Sequence, residues 1–300
     1  MVPWLPVTAL LQFGIPELPA GINLHISWRW LIIGAAAVLF ARFMRPKTKT
    51  TLPQVGRELA IVVPAYFAYS AVRNLAQGRA SDAFHHAGLV IKLEREIGIF
   101  WEQQWQQRII NLDIVVTLMN WVYVWGFWPV VVLAAVWLFV KHRDSYPVYR
   151  NAVLISGALG LVVFATFPLA PPRYMVAWGF VDTVAQQSDL YGILHDSGFV
   201  NQFAAMPSFH FGWMLLVSIA IFRHGEGVLP RLLGVLLPTA TLASIVLTAN
   251  HYLIDGIAGG GLALLGLGIA WLIQKRFSHP DAGPHSGTLP PTPDRQPVPA

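Results

Sequence analysis

His251 and Asp255 stand four residues apart at the start of an apolar run. On a helix they share one face and their side chains can meet. A carboxylate beside an imidazole selects its tautomer and stabilises its charged form, which is the support a nucleophilic or basic histidine needs. The same pair also suits a structural contact or two ligands of a metal. A second histidine, His210, follows Met206-Pro207-Ser208-Phe209. Ser208 reads as an N-cap with Pro207 in the loop before it, which puts His210 in the first helical turn. A helix N-terminus offers unpaired N–H groups and a positive dipole end to phosphate, and a histidine there can protonate a leaving alkoxide. Plain capping accounts for the same residues. Arg173 follows Pro171 and Pro172, which stiffen its loop. A guanidinium binds phosphate oxygens in pairs, although an arginine at a membrane boundary also snorkels to headgroups. Arg73, with Tyr69 one turn earlier, is a further cation open to both readings.

The elements that must position these groups are set by an unusual composition. Of 300 residues only 12% are charged and 55% are hydrophobic. An average soluble domain carries roughly 25% charge, so this chain cannot clothe a soluble globule of its size. Cys is 0, which excludes disulfide and thiolate-metal scaffolds and leaves the redox compartment open. The net charge of +5 comes without a long Lys/Arg run, so no nucleic-acid partner is expected. A lipid bilayer is the expected solvent. Apolar runs at 28–43, 59–77, 114–140, 152–169, 209–222, 232–247 and 252–273 are continuous, not alternating, and predict helices. The fold class is therefore all-α, a polytopic bundle of about seven spans (six to eight).

Residues 1–26 hold four prolines and no Lys or Arg, and read as an interfacial or re-entrant segment. Residues 27–277 form the membrane domain, and 278–300 a disordered Pro-rich tail. Within 88–110, Leu89, Leu93, Ile97, Phe100, Trp101, Trp105 and Ile109 recur at helical spacing. Lys92, Glu94, Arg95, Glu96, Glu102, Gln103 and Gln106 fill the other faces. The pattern predicts one amphipathic helix at the interface, or packed on the mouth of the bundle. Most basic residues, including the cluster Arg42–Lys49, fall in loops after the first, third and fifth spans and in the segment after the last span. The positive-inside rule then puts those loops and the C-terminus in the cytoplasm. The segments bearing Arg173, His210 and His251 lie on the opposite, extracytoplasmic side of a plasma membrane.

Pro207-Ser208-Phe209-His210 followed by His251-Tyr252-Leu253-Ile254-Asp255 resembles the second and third signatures of the type 2 phosphatidic acid phosphatase superfamily. The stretches 201–210, 250–252 and Leu93-Glu94-Arg95-Glu96-Ile97-Gly98-Ile99-Phe100-Trp101-Glu102 resemble its inositol phosphorylceramide synthase-like branch. The resemblance covers roughly residues 60–275 and implies a core of six helices. It implies that His251 attacks phosphorus, that Asp255 orients it, and that His210 protonates the leaving alcohol, without metal or cofactor. The family's first signature, a Lys six residues before Arg-Pro, is not met. Aligned on Arg173, Thr166 takes the Lys position and Tyr174 the Pro position. In the third signature Ser244 fits, but Ile245 replaces an arginine, and Phe209 stands where the second has glycine. Charge on a phosphate must then fall to Arg173, the histidines and the N–H groups after Ser208.

The expected partners are a phospholipid or polyprenyl phosphate, an alcohol acceptor and the bilayer. The reaction is transfer of an inositol-phosphate or similar headgroup, with hydrolysis of a lipid phosphate as the alternative. A lipid transporter is the rival from another class. Transporters gather polar residues near the midplane, whereas these lie at span ends. The loop 175–202, with Asp182, Asp189, His195 and Asp196, reads as a cover for the site or as a solvated connector.

Overall fold

The computed structural model of the chain describes residues 51–74, 78–187 and 202–278, and for 71–74 the backbone alone. Segment 1–26, the span 28–43, Asp189, His195, Asp196, the side chain of Arg73 and the tail after Ser278 lie outside the described residues. Every regular element among the described residues is helical. In chain order these are α1 (Leu52–Asn74), α2 (Ala80–Glu96), α3 (Glu102–Ile109), α4 (Asp113–Trp125) and α5 (Trp128–Lys141). There follow α6 (Tyr146–Thr166), two single 3-10 turns at Pro172–Tyr174 and Val176–Trp178, and α7 (Thr183–Gln187). The chain closes with α8 (Phe209–His224), α9 (Val228–Leu247) and α10 (Leu253–Ser278).

The protein is an all-α, multi-pass membrane bundle. α6, α9 and α10 are each long and apolar enough to cross a bilayer. The expected span 114–140 is α4 and α5, bent by 47° at the break between them. Pro129, in the first turn of α5, has no N–H to give Trp125 and cannot continue α4. α8 has 16 residues and is shorter than a span, and α1 carries Gln54, Arg57 and Glu58 in its first turns. α10 packs on α6 and α8, and α8 on α9. Ala152, Phe164, Phe209, Trp213, Met214, Leu216, Ala263 and Ala270 fill the space between them. Trp121, Val132, Val162, Leu265 and Trp271 point outward. An apolar exterior is stable where the solvent is lipid.

The region 88–110 departs from its expected single helix. The chain breaks after α2, where Gly98 adopts φ 77, a left-handed cap that glycine takes at little cost. The N–H groups of Ile99 and Phe100 then both donate to the Glu94 carbonyl, at 2.8 and 3.2 Å. Leu89, Leu93, Ile97 and Trp101 face outward as the periodicity predicts, but Glu94, Glu102 and Gln106 are completely buried.

Candidate active site

Four helix ends converge: the C-termini of α6 and α9 and the N-termini of α8 and α10. The three segments singled out in the sequence are stitched together there by backbone bonds. The Leu169 N–H donates to the Phe203 carbonyl (2.8 Å) and the Ala205 N–H to the Leu169 carbonyl (3.2 Å). The Arg173 N–H donates to the Ala249 carbonyl (2.8 Å), and the Ser208 N–H to the Asp255 carbonyl (2.9 Å). Ala249 sits at φ 54, uncommon for a residue with a Cβ. This turn lets Asn250 and His251 both donate their N–H groups to the Ile245 carbonyl, at 3.0 Å each. Ile245, at the position of an expected arginine, is buried and supports the loop through its backbone. Thr166, at the expected lysine position, bonds the Val162 carbonyl within its own helix at 2.8 Å.

His251 is buried in the turn between α9 and α10. Its Nδ1 lies 2.8 Å from the Ala205 carbonyl oxygen. A carbonyl only accepts, so Nδ1 carries the proton and Nε2 keeps its lone pair. Asp255 is adjacent, with Oδ2 3.4 Å from Nδ1, but that oxygen accepts the Tyr252 N–H at 2.9 Å. The expected pairing is thus modified: Ala205 sets the tautomer, and the Asp255 carboxyl stands slightly farther from the ring. Burial, partly opposed by the bond to Ala205 and reinforced by the Arg173 charge, pushes the imidazole down to about 3. His210 lies on the first turn of α8, its ring centroid 6.0 Å from that of His251. It stacks on Tyr123 at 4.7 Å and leans on Phe127 at 4.4 Å.

Ser208 occupies the N-cap position, but its hydroxyl makes no capping bond. The Oγ is buried and has no hydrogen-bond partner among the described residues. The first-turn N–H groups of α8 are therefore not taken by that side chain, as plain capping would require. Arg173 is buried as well, so it does not snorkel to the surface. One Nη donates to Asn250 Oδ1, and the other reaches the Tyr174 hydroxyl at 3.5 Å. Its Nε lies 3.4 Å from Asp182 Oδ2, and the guanidinium sits 4.7 Å above the Tyr174 ring. Tyr174 and Asn250 thus hold the arginine in place, and Asp182 offsets part of its charge.

Two glutamates join the site from α2 and α3. Glu94 Oε1 accepts the Ile254 N–H at 2.9 Å, and Glu102 Oε1 accepts the Leu253 N–H at 2.7 Å. The second oxygen of each carboxyl, Oε2, is buried and has no hydrogen-bond partner among the described residues. Burial first, then the neighbouring Glu102 carboxyl, push Glu94 up to about 9. Burial also raises Glu102, opposed by the neighbouring Glu94 carboxyl and by the bond from the Leu253 N–H. The sequence pattern places both carboxylates on the polar faces of one amphipathic helix, because periodicity registers polarity and not its partner. Their positions inside the stretch Leu93–Glu102 that marked the family branch were the signal available.

A sequence model of the PAP2 superfamily, the type 2 phosphatidic acid phosphatases, matches residues 89–270. A phosphoinositol dihydroceramide synthase of Bacteroides thetaiotaomicron is 28% identical over 153 residues, 46% of this chain. The chain spans 50% of that relative's length. No solved structure matches the chain.

Proposed function

The chain belongs to the PAP2 superfamily, and on that premise we propose that it processes a phosphate ester of a lipid in a membrane, transferring a phosphorylated headgroup through a phosphohistidine on His251. The observation that carries the reading is the tautomer. With Nδ1–H given to Ala205, the Nε2 lone pair of a neutral His251 is left for phosphorus, 6.0 Å between ring centroids from His210. In the first half-reaction Nε2 attacks phosphorus, the P–N bond forms and the P–O bond to the lipid alcohol breaks. His210, protonated, gives its proton to the departing alkoxide. In the second half an acceptor hydroxyl attacks phosphorus and returns a proton to His210, and the P–N bond breaks. Arg173 and the N–H groups that open α8 stabilise the equatorial oxygens, with the Ser208 hydroxyl beside them. Arg73 is a further headgroup cation of this reading. The route needs no metal, so activity in EDTA is expected to match activity without it.

A lipid substrate is supported by an apolar cavity of about 480 Å³ between α1, α5, α6 and α8. Trp213, Leu216, Val217 and Ala220 form its α8 wall, on the same stripe as His210. Transfer in preference to hydrolysis is supported by the likeness to a synthase. Thr166 and Ile245, in place of two cations, leave less fixed charge for a free phosphate product. The test is partitioning. Purified protein in detergent receives labelled phosphatidylinositol and a millimolar lipid alcohol, and transferred product is compared with water-derived product. Transferred product is expected to dominate. If water takes nearly all the phosphoryl group whichever acceptor is offered, the protein is a hydrolase.

The site is assigned to the extracytoplasmic face of the plasma membrane, with the C-terminus in the cytoplasm. Arg143, Arg150, Arg223, Lys275 and Arg276 at the far ends of α5, α6, α8 and α10 support this orientation. The chain has 0 cysteines, so single ones can report it. An impermeant thiol reagent should label intact cells carrying Asp189→Cys and spare those carrying Asp144→Cys. The opposite labelling pattern reverses the topology.

A further inference from the structure

We propose that Glu94 and Glu102 are positioning residues of this site: docked on the first N–H groups of α10, they hold His251 where it attacks. The inference rests on the phosphotransfer reading above. α10 begins directly after His251 and Tyr252, and neither residue is a good N-cap. Asp255, three residues into the motif, takes the Tyr252 N–H, which is half of a capping box. The next two N–H groups, of Leu253 and Ile254, have no local acceptor, and the carboxylates of α3 and α2 supply it from more than a hundred residues away in sequence. Three consecutive N–H groups after His251 are therefore each held by a carboxyl. Before it, the Ile245 carbonyl holds the N–H groups of Asn250 and His251 itself. The imidazole is carried on a turn clamped from both sides.

The clamp also divides the two helix N-termini between tasks. That of α10 has its N–H groups taken by carboxyls and offers none of those three to a phosphate. That of α8, uncapped by Ser208, is left to receive one. Because the glutamates touch the backbone of α10 and not the substrate, their loss shifts the nucleophile without removing a binding contact. Turnover should suffer, and substrate affinity should not.

The test uses full-length protein in detergent, with labelled phosphatidylinositol as donor. Glu94→Ala and Glu102→Ala should each lower kcat at least tenfold and leave KM within twofold. Glu94→Gln should lose less than threefold, since its amide oxygen still accepts from Ile254. Glu94→Asp, too short by one methylene to reach Ile254, should lose as much as the alanine variant. Wild-type kcat in both alanine variants overturns the clamp, as does a KM that rises in step with the loss. If the alanine variants do not fold, the Gln and Asp forms decide: equal kcat in those two overturns the proposal. His251→Ala separates the two levels. If it is dead while the glutamate variants are unaffected, the clamp is wrong and the phosphotransfer reading stands. If it remains active, the phosphotransfer reading itself is wrong.

Discussion

His251→Ala is expected to reduce kcat by about 10⁴-fold or more, the scale of losing a covalent nucleophile outright. No other described imidazole can take its place. His210 is held between Tyr123 and Phe127 on a different helix, its ring 6.0 Å away between centroids. Asp255→Asn should cost far less, about 10- to 100-fold. The asparagine oxygen can still accept the Tyr252 N–H, and Ala205, at 2.8 Å against 3.4 Å for Asp255, continues to fix the tautomer. What is removed is the carboxyl that stands 3.4 Å from the ring nitrogen as positive charge grows there. The pH profile carries a further signature. Burial holds His251 neutral down to about 3, so lowering the pH from 7 to 5 does not protonate the nucleophile. An acid limb near 6.5 in kcat/KM that disappears in a His251 variant, measured as residual turnover, would contradict this. Mass spectrometry of enzyme quenched during turnover should find phosphate on His251 and none on His251→Ala.

Much of this arrangement was legible in the residues, and the parts that were not share a cause. The apolar runs predicted the helices of the bundle, because a lipid-facing or buried helix must be apolar for most of its length. His210, His251 and Asp255 were legible because each sits at a run's polar edge, where a charge is costly without a purpose. The bend between α4 and α5 follows from Pro129, but the apolar pattern continues across it and reads as one span. Glu94 and Glu102 could not be placed, because their partners are backbone N–H groups of Leu253 and Ile254, and a backbone group has no sequence. The same holds for Ala205, whose carbonyl holds His251 Nδ1. For Arg173 the residue type was informative. Its burial between Asn250, Tyr174 and Asp182 depends on a turn at Ala249 that no local preference announces.

Gly259→Ala tests how closely α10 must approach the loop before α8, and it should reduce activity by about 100-fold or more. A Cβ on Gly259 would lie 2.0 Å from the Ser208 carbonyl oxygen, 2.7 Å from its carbon and 3.0 Å from its nitrogen. These are backbone atoms, so no side chain can swing aside to make room. The Ser208 carbonyl is also committed, accepting the Gly212 N–H at 3.0 Å, and the Ser208 N–H donates to Asp255 at 2.9 Å. Relief therefore requires the 205–210 loop to move away from α10 as a unit. That motion pulls the Ala205 carbonyl from His251 Nδ1 and His210 from its place opposite the nucleophile. A displacement of about 1 Å at a reacting group costs roughly 100-fold in rate. The companion variant is Gly261→Ala, two residues farther along the same helix, where an added Cβ meets nothing within 4 Å. It should retain wild-type turnover and gain stability, because alanine in a helix interior is favoured over glycine by about 0.5–1 kcal/mol. Turnover and thermal unfolding of both proteins in detergent read the contrast. Equal activity in the two variants would show that contact between α10 and Ser208 does not position the histidines, whereas loss in Gly259→Ala alone ties the pairing of His210 with His251 to a gap one hydrogen atom wide.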